Sequence, residues 1–130
     1  MKINSILTLL IAFMIFNCCD KNESESNIKY GYVLFYTNAQ FLLNCGDFDV
    51  NVYINDSKKG VINKPYLPLD SIPSCETTDT NTALKLKMEV GTYNYYADFY
   101  CSKNNQWTGN FDIKENSCTI IYLSLSQTEN

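Results

Sequence analysis

Histidine and arginine are both absent from this 130-residue chain. Without histidine it lacks the side chain whose ordinary pKa lies near neutrality, and with it most catalytic triads, acid–base dyads and common zinc sites. Without arginine it lacks the planar fork that reads base edges and grips phosphates. Ten lysines stand against fourteen acidic residues, a formal charge of −4, which leaves a phosphate backbone little to hold. The composition therefore predicts no enzyme, no nucleic-acid partner, no metal site and no cofactor. Glycine and proline are scarce, at five and three residues. The one long apolar run, Ile6 to Phe16, is eleven residues, short of the roughly 20 that cross a bilayer.

That run follows Lys2 and ends at Asn17-Cys18-Cys19-Asp20, the layout of a signal peptide rather than of a periodic core helix. A cysteine directly after such a run resembles the lipobox of bacterial lipoproteins, in which the thiol takes a diacylglycerol and becomes the new N-terminus. The resemblance implies a lipid anchor in a membrane, at Cys19 or at Cys18. The lipobox prefers Gly, Ala or Ser before its cysteine, whereas Asn17 precedes Cys18 and Cys18 precedes Cys19. Parity favours Cys19, because cleavage there leaves four cysteines for the domain and strands no odd thiol in an oxidising compartment. The chain divides accordingly into a signal peptide (1–18), a polar tether (19–28) and a β-sandwich domain (29–126). The tether segment Asp20 to Asn27 has no apolar residue and reads as solvated. It also resembles the acidic export signal of some Gram-negative outer-membrane lipoproteins, which implies a surface-exposed place on the outer membrane.

From Lys29 onward the apolar residues recur at every second position, the period of a strand with one wet face. Phe48, Val50, Val52 and Ile54 alternate with Asp49, Asn51 and Tyr53; Leu84, Leu86, Met88 and Val90 with Lys85, Lys87 and Glu89. Tyr93, Tyr95, Ala97 and Phe99 oppose Asn94, Tyr96, Asp98 and Tyr100, and Trp107, Phe111 and Ile113 oppose Thr108, Asn110 and Asp112. Strands near Tyr30–Tyr36, Lys59–Ile62 and Thr119–Leu125 complete a set of about seven, joined at Asn55-Asp56-Ser57, Val90-Gly91-Thr92 and Lys114–Ser117. Ten tyrosines against one tryptophan suit pleated, half-buried surfaces. The pattern predicts a single all-β domain, an antiparallel sandwich. All three prolines fall in one irregular connection, Asn63 to Thr82.

The order Val50-Asn51-Val52-Tyr53-Ile54-Asn55-Asp56-Ser57-Lys58-Lys59-Gly60, then Leu84-Lys85-Leu86, then Val90-Gly91-Thr92-Tyr93, resembles the PEGA and carboxypeptidase-regulatory-like group of transthyretin-type sandwiches. It departs from the usual PEGA turn, which has Gly where Asp56 or Ser57 stands. Gly91-Thr92-Tyr93, Trp107-Thr108-Gly109 and Cys118 together resemble small uncharacterised bacterial outer-membrane lipoproteins. Both likenesses imply an accessory, non-catalytic module.

Cys45, Cys75, Cys101 and Cys118 allow three pairings, and the lack of any CxxC spacing favours disulfides over metal. If the last three strands form a meander, Cys101 and Cys118 sit at opposite ends of it. They are then separated by roughly 23 Å of strand, beyond the roughly 4.4 to 6.8 Å between Cα atoms that a disulfide tolerates. Two schemes remain on these grounds. The lipoprotein likeness implies Cys75 with Cys118, and Cys45 with Cys101 then follows.

No hydroxyl has a suitable base, and the carboxylate pairs Asp47 with Asp49 and Asp98 with Asp112 read as solvated surface. What stands out is surplus tyrosine. If Tyr93, Tyr95, Phe99 and Trp107 fill the core, alternation turns Tyr96, Tyr100 and Tyr122 outward, with Asn110 and Asp112 between them. These residues are the predicted surface for a glycan or protein partner, tyrosine offering a flat apolar ring and a hydroxyl at small entropic cost. The competing expectation is a structural accessory subunit of an envelope assembly, without a ligand of its own.

Overall fold

Val33 and Phe35, Val50, Val52 and Ile54, and Phe111 and Ile113 each sit two residues apart on their segments, and each is nearly or fully buried. Burying such side chains is worth about 1.5 to 3 kcal/mol apiece, enough to fix which face of each strand turns inward. The computed structural model describes residues 27–39, 46, 48–68, 71–76, 79–99 and 106–124. Residues 1–26, Cys18 and Cys19 among them, and Cys45, Asp47, Tyr100 and Cys101 lie outside the described residues.

Seven strands form: β1 Tyr30–Tyr36, β2 Val50–Ile54, β3 Ser57–Ile62, β4 Ala83–Glu89, β5 Gly91–Phe99, β6 Gln106–Ile113 and β7 Cys118–Tyr122. They make a three-stranded sheet in the order β4-β1-β7 and a four-stranded sheet in the order β3-β2-β5-β6. The all-β sandwich expected from the alternation is therefore present. Its core joins both sheets around Phe35, whose ring meets Tyr95 at 5.4 Å and Phe111 at 5.7 Å, both edge-on. The β2–β3 hairpin turns through Asn55 and Asp56 at φ of +47° and +63°. Both residue types tolerate the left-handed region, which explains a tight turn without glycine.

The expected meander fails at its last step. β5 and β6 pair antiparallel, but β7 leaves that sheet and lies parallel to β1, with Tyr32 opposite Cys118 and Tyr36 opposite Tyr122. It is the one parallel pairing among the described strands; the other four are antiparallel. The turn after β6 makes the crossing. Asn116, at φ +52°, donates its N–H to Tyr30 O at 2.9 Å, and Tyr32 N–H donates to Ser117 O at 2.8 Å. Gly31 permits this approach, since a Cβ there would stand 2.2 Å from Lys114 O. Across the same edge Trp107 Nε1 donates to Ser124 O at 2.7 Å and Thr119 Oγ1 to Asp112 O at 2.7 Å, tying β6 to the β7 segment in the other sheet.

Gly109 explains part of the Trp107-Thr108-Gly109 signal. It stands opposite Tyr95, and a Cβ at this position would come within 2.7 Å of the Tyr95 ring, so the missing side chain lets the tyrosine lie across the strand.

Candidate functional site

The crossing of β7 decides what the outward tyrosines can do together. Tyr96 stands on the outer face of the four-stranded sheet, opposite Thr108 on β6 and 5.6 Å from the Tyr53 ring. Burial and the neighbouring Asp98 carboxylate push its hydroxyl pKa up. Asn110 and Asp112 share that face, opposite Asn94 and Thr92. Tyr122 belongs to the other sheet and faces away from the opposite side of the sandwich. The structure thus separates the expected set: Tyr96, Asn110 and Asp112 lie on one outer face, Tyr122 on the other, and nothing of the first group lies between Tyr96 and Tyr122. Only the place of Tyr122 departs from the expectation, which assumed that β7 continues the meander.

Asp98 and Asp112 are likewise held apart. Asp98 accepts from Asn51 Nδ2 at 3.0 Å and Asp112 from Thr92 Oγ1 at 2.6 Å. Their register partners put them six residues apart along β5, roughly 20 Å of strand, too far for two carboxylates to flank one glycosidic bond.

Around Tyr122 the structure assembles different neighbours. β1 reads Val33-Leu34-Phe35-Tyr36, apolar on both faces, and is the central strand of its sheet. Its inward residues join the core, while Leu34 and Tyr36 are buried on the outward side with Ala83, Tyr66, Cys75 and Cys118. What covers them is the proline-bearing connection between β3 and β4. Tyr66 N–H donates to Thr37 O at 2.8 Å, docking the connection onto the end of β1. Thr37 itself is fully buried; its hydroxyl donates to Leu123 O at 2.9 Å and accepts the Ala39 N–H at 3.3 Å. A disulfide between Cys75 and Cys118, 6.3 Å apart at Cα, ties the connection to β7. This is the pairing that the lipoprotein likeness implied, reached although the meander does not exist. Lys85 Nζ adds a hydrogen bond to Cys75 O.

Between connection and sheet remains a cleft of about 240 Å³, lined by Tyr36, Tyr66 and Tyr122 with Asn38, Ser71 and Ile72. Tyr36 stacks on Tyr122 at 5.0 Å and 25°, and meets Tyr66 edge-on at 5.8 Å and 79°. Tyr122 Oη donates to the Asn38 side-chain oxygen, and the Tyr66 and Ser71 hydroxyls lie 3.3 Å apart. Burial first, then the neighbouring Tyr122 and Tyr66 hydroxyls, raise the Tyr36 pKa above its ordinary value, so the Tyr36 ring stays neutral at physiological pH.

Compared with known proteins, the chain matches no family model, no curated protein and no solved structure.

Beyond the connection, the same outer face carries Tyr30 and Tyr32, each 38% exposed, and Ile120 at 40%. Lys87 Nζ lies 4.6 Å from the Tyr30 ring centre and Lys85 Nζ 4.8 Å from that of Tyr32, within cation–π range. Sequence reasoning named Tyr122 and singled out the connection that carries Tyr66 only for its prolines. It missed Tyr36, Asn38 and Ser71, for which the unbroken apolar run in β1 was the available signal: a strand buried on both faces needs something lying across it.

Proposed function

We propose that this chain is a non-catalytic, lipid-anchored surface module that recognises a glycan or protein through the outer face of its three-stranded sheet. The observation that carries the proposal is the contact of Tyr36, Tyr66 and Tyr122 around an open cleft flanked by Asn38 and Ser71. Sites that bind small polar ligands combine an apolar wall with a few placed polar groups, and tyrosine supplies both. The lipid anchor is proposed at Cys19, with Cys18 as the alternative thiol, and the address is the outer membrane.

Transfer of the recognition face from the β5–β6 side to the β1–β7 side follows from Tyr122 sitting with Tyr36 rather than with Tyr96. The test is binding of the purified, disulfide-intact chain to arrayed glycans and to envelope fractions of the producing cells. Replacing Tyr66 and Tyr122 together by serine is expected to abolish binding and leave the folded spectrum in place. Binding that survives the double replacement would overturn the proposal.

A further inference from the structure

Resting on the lipid anchor of the proposed function, we infer that the start of β1 lies against the bilayer that holds that anchor. Ile28, Tyr30, Tyr32 and Val90 meet the membrane interface, and Lys85 and Lys87 reach headgroup phosphates. The four apolar and aromatic side chains are all exposed. Backbone bonds gather them at one end of the sandwich: Val90 N–H donates to Lys29 O at 2.9 Å, and the turn after β6 closes on the same place through Asn116 N–H to Tyr30 O at 2.9 Å. Tyr30 and Tyr32 stand side by side with β4, opposite Glu89 and Lys87.

Where the chain enters fixes what this end faces. Asn27 is the first of the described residues and follows Cys19 by eight positions, so at roughly 3.3 to 3.6 Å per residue even a fully extended tether keeps it within about 28 Å of the lipidated residue. The tether also turns the encounter with the bilayer into an intramolecular one, so a patch too weak to hold a free protein on a membrane still docks.

The side chains suit that boundary. Tyrosine has an apolar ring and a polar tip, and it collects where hydrocarbon gives way to headgroups. Lys87 Nζ lies 4.6 Å from the Tyr30 ring centre and Lys85 Nζ 4.8 Å from that of Tyr32, so ring and ammonium arrive at the interface together. The ring loses apolar contact with water while the ammonium bonds a phosphate oxygen. Lys85 donates one N–H to Cys75 O, and an ammonium has further N–H groups to offer. Ile28 and Val90 add aliphatic surface beside the rings. Docking here also orients the rest of the molecule. Tyr30 and Tyr36 are six residues apart on β1, about 20 Å, so the cleft between Tyr36, Tyr66 and Tyr122 is held at the end away from the membrane.

The experiment uses the isotope-labelled, lipid-modified full mature chain in nanodiscs of phosphatidylethanolamine with a minority of phosphatidylglycerol, made with and without a lipid that carries a gadolinium chelate on its headgroup. Lys87 and Val90 are the chief reporters, because they lie far from the tether in sequence and chain proximity alone does not bring them to the lipid. The expected result is loss of the amide signals of Tyr32, Lys87 and Val90 in the gadolinium discs, with those of Tyr66, Tyr96 and Tyr122 retained. Replacing Tyr30 and Tyr32 by serine together with Lys85→Glu and Lys87→Glu is expected to restore the Val90 signal while the lipid keeps the chain in the disc. Equal loss from both outer faces of the sandwich, loss centred on Tyr96 and Asn110, or a Val90 signal still lost in the fourfold variant would overturn the inference. So would a patch that stays visible in the discs but shifts with protein concentration, the mark of a second copy covering it. A chain that carries no lipid and does not stay with the discs takes down the anchor and the docking together; a lipid-modified chain that stays with the discs yet keeps its Lys87 and Val90 signals takes down the docking alone.

Discussion

Tyr36 and Tyr122 stand opposite each other in the parallel β1–β7 pair and stack at 5.0 Å, yet only Tyr36 is buried; Tyr122 is 42% exposed. The pair thus divides one aromatic contact between stability and surface. Tyr36→Ala opens a hole beneath the connection and is expected to cost about 3 kcal/mol or more, on the scale of buried aromatic truncations. Tyr122→Ala removes a surface ring and is expected to cost about 1 kcal/mol or less. Chemical denaturation of the two variants checks the contrast, and equal losses would show that Tyr122 is structural.

Removing the Cys75–Cys118 bridge by a double serine replacement is expected to cost roughly 2 to 4 kcal/mol, because it closes a separation of 43 residues in the unfolded chain. The loss should be local as well as global. The connection around Tyr66 should become the first site cut by a protease, since without the disulfide its described ties to the sheet include the Tyr66 N–H to Thr37 O bond and the packing of Tyr66 on Tyr36. Cleavage starting elsewhere would contradict this role for the bridge.

The strands were legible because one face of each is buried: Val50, Val52 and Ile54, or Phe111 and Ile113, leave an unmistakable period of two. Turn chemistry at Asn55-Asp56 and Asn116 was legible for a local reason too, since those residue types tolerate positive φ. The partner of β7 was not. Ile120 and Ile121 are adjacent, so the sequence marks no wet face although Ile120 and Tyr122 are exposed, and the strand's placement depends on Gly31 admitting the Lys114–Ser117 turn, a contact between distant parts of the chain. The candidate site inherits that difficulty, because Tyr36, Tyr66 and Tyr122 come from three separate segments that only the crossing brings together.

Stability should respond to alkali before it responds to mild acid. Burial raises the pKa of Tyr36 and Tyr95 in the folded chain, while the unfolded chain loses phenolic protons near the ordinary value of about 10. A raised folded pKa contributes stability that is complete below the unfolded value and is lost as pH rises through the folded one. The melting temperature should therefore fall above about pH 10, in step with phenolate absorbance. With no histidine to titrate, it should hold nearly level between about pH 6 and 9. A sharp step inside that interval would contradict the account.

The central claim is that recognition belongs to the β1–β7 face and not to the β5–β6 face, and a matched pair of variants tests it most directly. Tyr122→Ser and Tyr96→Ser each remove one outward tyrosine, from opposite sides of the sandwich. Binding of both variants to the same envelope fractions, measured beside the unaltered chain at matched folded fraction, should be lost for Tyr122→Ser and retained for Tyr96→Ser. Loss with Tyr96→Ser and retention with Tyr122→Ser would contradict it.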